Sequence, residues 1–230
     1  MSKVERKRVA HRKREKVMHN VVHVGMRIEQ GLPSMRTRGA LEVIHEAFRA
    51  QRSRFEFRIV EFAILSNHMH LVVEAKDSEE LAAAMKGLAV RIARGLNTLW
   101  ERAGQVFADR YWSRVVRKVH ELRRLVCYVM QNARRHGVRI PSNRPDEFSS
   151  GPWFHHWRDH EGRTFSSEPP PTERASDMAL QCARRFVLEL DETPNPRRSC
   201  QEVWKLGQAA SVRTGAPLTY LVPSATSCSR

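Results

Sequence analysis

Two histidines one residue apart, His68 and His70, and a distant tyrosine, Tyr128, are the side chains best suited to act together chemically. In a strand, residues i and i+2 project from one face, with Cβ atoms roughly 6.5–7 Å apart. Both imidazoles can then reach one divalent ion, while Met69 between them turns to the core. Leu71, Val72 and Val73 follow, so the pair stands on a rigid strand and not on a loop. The competing reading is a pair of surface histidines on a sheet, and spacing alone does not separate the two. Tyr128 adds weight. On a wheel turning about 100° per residue, Leu122, Leu125, Val126, Val129, Met130 and Ala133 form one stripe. Tyr128 lies off it, facing the way of Glu121, Arg124, Asn132 and Arg135. A core tyrosine would sit inside the stripe. With Asn132 one turn on and two arginines beside it, the pattern reads as a hydroxyl next to a ligand and cations.

The elements that must carry these groups follow from the pattern. Residues 19–29 alternate, with Val22, Val24, Met26 and Ile28 on one face and Val21, His23, Gly25, Arg27 and Glu29 on the other. Leu41, Ile44, Ala47 and Phe48 predict a helix within 36–52. Phe57, Ile59, Val60, Phe62 and Ile64 predict a strand, Ser66-Asn67 a turn, and His68 to Ala75 the returning strand. Asp77-Ser78 with Glu79 and Glu80 opens a helix carrying Arg91, Arg94 and Arg102. Tyr111 to Arg117 reads as a fourth strand and Val119 to His136 as one continuous helix, closed by Gly137 as an αL cap. The order β-α-β-β-α-β predicts an α+β, ferredoxin-like antiparallel sheet with helices on one face and the other face free for a ligand.

After Ile140 the character changes. Pro141, Pro145 and Pro152 precede Trp153-Phe154-His155-His156-Trp157, whose aromatic rings either stack unpaired bases or pack the segment onto the domain. Ser166 to Pro171 reads as a linker, and 172–190 as an amphipathic helix in a C-terminal helical and irregular extension. The expected division is a basic arm over 1–17, the site-bearing domain over 18–160 and the extension over 161–230.

Composition narrows the partner. Forty Lys and Arg against 25 Asp and Glu give a net charge of +15, which favours a polyanion, nucleic acid foremost. Cys127, Cys182, Cys200 and Cys228 form no C-x-x-C pair, so neither a zinc knuckle nor a disulfide framework is expected. No apolar run spans a bilayer, and a reducing, cytoplasmic setting is the expectation.

The segments Ser66-Asn67-His68-Met69-His70-Leu71-Val72-Val73, Val106-Phe107-Ala108-Asp109-Arg110-Tyr111 and Cys127-Tyr128-Val129-Met130-Gln131-Asn132 resemble the single-tyrosine HUH transposases, insertion-sequence-200-like proteins. The REP-associated tyrosine transposases of bacteria are the nearest in flavour. The resemblance covers roughly residues 19–157. It implies a transposase that cuts and rejoins single-stranded DNA through a 5′-phosphotyrosine, with a hairpin or palindromic repeat as substrate. It implies His68, His70 and Asn132 as ligands of Mg²⁺ or Mn²⁺, Tyr128 as nucleophile, and a homodimer as the assembly to look for. Many relatives place Pro after that Asn. Here Ala133 follows, so the helix is expected to run on, and Gln131 is the alternative ligand. His23, Arg27, Arg91, Arg94, Arg110, Arg124 and Arg135 are the candidate DNA contacts. Tyr111 is the rival nucleophile. The rival functions are a domesticated DNA-binding protein of the same fold in repeat maintenance or regulation, and a metal-dependent hydrolase without a covalent step.

Overall fold

The computed structural model describes residues 14–52, 56–155, 157 and 165–175. Its elements run β1 (Met18–Arg27), α1 (Arg38–Arg49), β2 (Phe57–Ile64), β3 (His68–Asp77), α2 (Ser78–Leu99), β4 (Trp112–Val116), α3 (Val119–Met130) and α4 (Asn132–Arg135). The four strands form one antiparallel sheet in the order β2-β3-β1-β4. This is the α+β ferredoxin-like arrangement expected from the element order.

Strand alternation gives the sheet two different faces. Val22, Val24 and Met26 of β1 join Leu71 and Val73 of β3 in a core that also holds Ile44 and Phe48 of α1 and Leu88, Ile92 and Leu96 of α2. The two helices approach closely at Gly95, where a Cβ would lie 2.5 Å from Val43 Cγ1. Asp77 starts α2 by accepting from the amides of Glu79 and Glu80, so two of the unpaired donors at the helix start are satisfied by one carboxylate.

The opposite face is not left bare. Val21, Val60 and Val72 pack there against Leu122, Leu125, Val126 and Val129 of α3, together with Phe154 and Trp157. The helices therefore divide between the two faces. The off-stripe residues that place Tyr128 toward a ligand also require α3 to lie beside the histidines, on their side of the sheet. A second difference concerns helix length. The predicted helix 119–136 breaks at Gln131, whose φ of −102° and ψ of 8° end α3 before α4 begins. The bend thus occurs without a proline. Gly137, at φ 77°, closes α4 in the left-handed region, as expected.

The outer edge of β2 is covered by chain from further on. Ile64 and Ser150 amides donate to the carbonyls of Phe148 and Phe62, and the Glu173 amide to that of Ile59. Trp157, fully buried, donates from Nε1 to the Gly151 carbonyl at 2.9 Å, and Phe154 is equally buried. The aromatic patch is packing, not an exposed stacking surface. Residues 165–175 lie on the domain, with Ala175 in the core; most of the predicted 172–190 helix lies outside the described residues.

The segment after α4 is fastened by one ion pair. Arg36 donates to both oxygens of Asp146, at 2.9 and 2.8 Å, and to the Ile64 carbonyl at 2.8 Å, and it stacks over Phe148. The Asp146 side chain is only 2% exposed. Removing one partner of such a pair strands the other charge, a cost of about 3–5 kcal/mol. Asp146→Ala should therefore lower unfolding free energy by about that amount in urea titrations, whereas a loss below about 1 kcal/mol would mean the pair is dispensable.

Candidate functional site

Because β3 is a central strand, its imidazoles are held from both sides: His70 pairs with Gly25 of β1 and with Ala63 of β2. The strand starts directly after the Ser66-Asn67 turn, where the Leu65 amide donates to the His68 carbonyl. His68 Nδ1 lies 2.8 Å from Asn67 Oδ1. An amide oxygen only accepts, so Nδ1 carries the proton and Nε2 keeps its lone pair.

His70 is engaged at both nitrogens. Its Nδ1 is 3.0 Å from His23 Nε2, and its Nε2 is 3.2 Å from the Tyr128 hydroxyl. His23 is thereby placed behind His70, its ring also edge-on to Trp112 with centroids 5.1 Å apart. The Arg135 guanidinium lies 5.3 Å from the Tyr128 ring centroid. Tyr111 packs against the core on the other face, beneath the guanidinium of Arg14, and burial pushes its phenol pKa up.

Burial sets the protonation of the cluster. Desolvation first, then the charge repulsion of His23, His68 and His136, pushes His70 down to about 3. Desolvation, then Arg114, brings His23 to about 4. His68 is also lowered, by desolvation, His136 and Arg27 in that order. The cluster is therefore neutral near pH 7, the form in which an imidazole binds metal or accepts a proton.

A cavity of about 530 Å³ opens over this face, lined among others by Arg27, Asn67, His68, His70, Arg110, Trp112 and His136. Of the predicted DNA contacts, Arg27 and Arg110 are exposed on its wall. Arg124 is exposed on α3. Arg91 and Arg94 ride on α2, which packs on the far face, and Arg91 donates to Gln51 at 3.2 Å.

Two cavity residues were not singled out from sequence. Trp112 falls within the predicted fourth strand. His136 ends the predicted helix, yet its ring lies 5.2 Å from that of His68. Only the break at Gln131 brings it there, and no spacing rule announces that break.

Asn132 is the third predicted ligand. The break turns it inward: it is 0% exposed, and neither atom of its carboxamide has a hydrogen-bond partner. Gln131, buried beside it, accepts from Arg134 at 3.0 Å. Among the described residues no three His, Cys, Asp or Glu are placed to hold a metal ion. Two imidazoles plus a carboxamide are a different donor set, and its chemistry fits a divalent ion. His68 and His70 are neutral, and a buried amide lacking partners is the kind of group that a ligand satisfies.

The family model described as "Transposase IS200 like" matches residues 13–132. The structure of a REP-associated tyrosine transposase bound to a REP hairpin aligns with a TM-score of 0.56 at 13% identity, covering 74% of this chain and 100% of that one. At that identity the likeness concerns the fold. A candidate transposase from Deinococcus radiodurans aligns with a TM-score of 0.37 at 12% identity, covering 53% of this chain and 95% of that one, too weak to carry an argument. No match to a curated protein was found. No helix among the described residues is long and apolar enough to cross a membrane.

The lowered histidines link stability to pH with a definite sign. Below their ordinary value near 6.5 the unfolded chain takes up protons that the folded His23 and His70 refuse. Their contribution is complete above pH 6.5 and drains away as pH falls toward 4. Unfolding midpoints in urea should drop between pH 7 and pH 5, and His23→Leu should show a shallower drop than wild type. Identical slopes would refute the buried, neutral cluster.

Proposed function

This chain belongs to the IS200-like transposase family, and we propose that it cleaves and rejoins single-stranded DNA with Tyr128 as nucleophile. The observation that carries this reading is the Tyr128 hydroxyl 3.2 Å from Nε2 of His70, a residue that lines a cavity flanked by Arg27 and Arg110. A phenol beside neutral imidazoles at the mouth of a basic cleft is suited to attack a phosphodiester. A family of DNA transposases makes DNA the substrate class. The REP hairpin held by the structural relative points to folded single strands as the form recognised.

The step balances without a cofactor that carries electrons. The Tyr128 oxygen forms a bond to the scissile phosphorus as the phenol proton departs. The bond from phosphorus to the upstream 3′-oxygen breaks, and that oxygen leaves as a 3′-hydroxyl after taking up a proton. The 5′-phosphate is now an ester of Tyr128. A second 3′-hydroxyl can reverse the reaction and seal a new junction, because the ester keeps the energy of the original bond.

His68 and His70 would hold a divalent ion, Mg²⁺ or Mn²⁺, through their Nε2 atoms, with Asn132 as amide donor and Gln131 as the alternative. When bound, such an ion polarises the phosphate and stabilises the charge that develops on it. The single lone pair of His70 Nε2 serves either the phenol or an ion. An ion held by that nitrogen would leave the Tyr128 hydroxyl without its acceptor on His70. Arg135, 5.3 Å from the ring centroid, steadies the Tyr128 ring by a cation–π contact. Arg27 and Arg110 are placed to neutralise neighbouring phosphates.

His23 has a positioning role in this scheme. For His70 Nε2 to keep its lone pair, Nδ1 must carry the proton and donate it to His23 Nε2. Two expectations follow from the scheme. Tyr128→Phe should abolish the covalent adduct seen when a labelled single-stranded oligonucleotide is incubated with Mn²⁺ and run on a denaturing gel; an adduct of wild-type yield in the variant would move the nucleophile elsewhere. Loss of the tautomer partner in His23→Leu should weaken Mn²⁺ binding in calorimetry by about 10–100-fold. His23→Gln, whose amide oxygen can accept from Nδ1, should keep affinity near wild type, and equal behaviour of the two variants would refute the positioning role.

A further inference from the structure

On the site face of the sheet, His70, Gly25 and Trp112 form one cross-strand row, Gly25 being paired with His70 on one side and Trp112 on the other. The middle position has no side chain. The indole leans over it, so that a Cβ at Gly25 would meet Trp112 Cε3 at 3.6 Å and His70 Nδ1 at 3.9 Å. His23 props the indole from the side, with the two rings at 90°. The ring is thus held by neighbours yet 53% exposed, on the rim of the cavity that holds His68 and His70. A tryptophan half exposed at this position belongs to neither core.

We propose that Trp112 is a stacking platform for one unpaired nucleobase beside the phosphate presented to Tyr128. This deepens, and rests on, the reading of the cavity as a single-strand DNA site. Base-on-indole stacking suits a strand whose bases are not paired, because every base offers a π-face. The surroundings supply the matching charge. Arg27 and Arg110 stand on the same wall, where they can meet the phosphates on either side of a stacked base.

Arg27 and Arg110 attract the backbone, and the indole receives the base.

Stacking is separable from charge with two probes of equal phosphate number. One is a thymidine oligomer of about twelve nucleotides and the other an abasic oligomer of the same length, compared by fluorescence anisotropy at one salt concentration. Wild-type protein should bind the thymidine oligomer about tenfold more tightly than the abasic one. Trp112→Phe, which keeps a ring, should preserve most of that preference, and Trp112→Leu, apolar but ringless, should remove it. Because the side chain is largely exposed, all three proteins should melt together. A preference retained in full by Trp112→Leu, or absent from wild type, overturns the proposal. The covalent adduct is read in a separate assay. Loss of the adduct with the base preference intact would sink the nuclease reading and leave the subsite standing; the reverse result would sink only the subsite.

Discussion

Everything at this site depends on one buried imidazole held at both ends. His70 has its Nδ1 against His23 and its Nε2 against the Tyr128 hydroxyl. Each contact joins a different element: β1 through His23, β3 through His70 itself, α3 through Tyr128. Desolvation keeps the ring uncharged, and an uncharged imidazole has one proton and one lone pair to distribute between two neighbours. The tautomer is therefore a property of the three-element junction. It decides whether the nitrogen facing the cavity can accept at all.

That junction exists because the sheet is covered on both faces. Helices α1 and α2 bury one face and make the slab rigid, while α3 lies across part of the other and leaves an open corner above β1, β3 and β4. Hydrophobic residues on alternate positions of β1 and β3 serve both cores at once, which fixes the register strongly: a slip of one residue would send His68 and His70 into the α1/α2 core. The break at Gln131 then redirects the chain. It sends Asn132 inward and brings His136 over His68. A buried carboxamide with neither atom paired is energetically unfavourable, so its persistence next to the histidine-bearing sheet is consistent with a group that a ligand completes.

The two sheet edges are treated differently. The β2 edge receives backbone hydrogen bonds from residues 148–150 and 173, fastened by the Arg36–Asp146 pair. The β4 edge is short and carries Arg114 and Trp112, both exposed. Charge on a short edge discourages unwanted strand pairing, and it also leaves that side of the cavity open. Polar and aromatic chemistry is concentrated where the fold is least covered.

The sequence by itself determined the strands, most of the helices and the candidate groups of the site. Period-two alternation in 19–29 put His23 and Arg27 on the face away from Val22 and Val24, and the helical stripe of 119–130 left Tyr128 outside it, as local sterics and hydrophobic burial require. Tertiary structure decided what those groups touch. His23, a candidate DNA contact from sequence, stands behind His70 because β1 pairs with β3 in a register that no local pattern encodes. Asn132 turns inward and His136 reaches His68 because the helix breaks at Gln131, a break that the helical stripe does not announce. Trp112 gained its place beside His70 only through Gly25, a neighbour on another strand. Residue type and spacing follow from nearest-neighbour physics; contact across a sheet depends on long-range pairing, and that is settled only when the whole core is assembled.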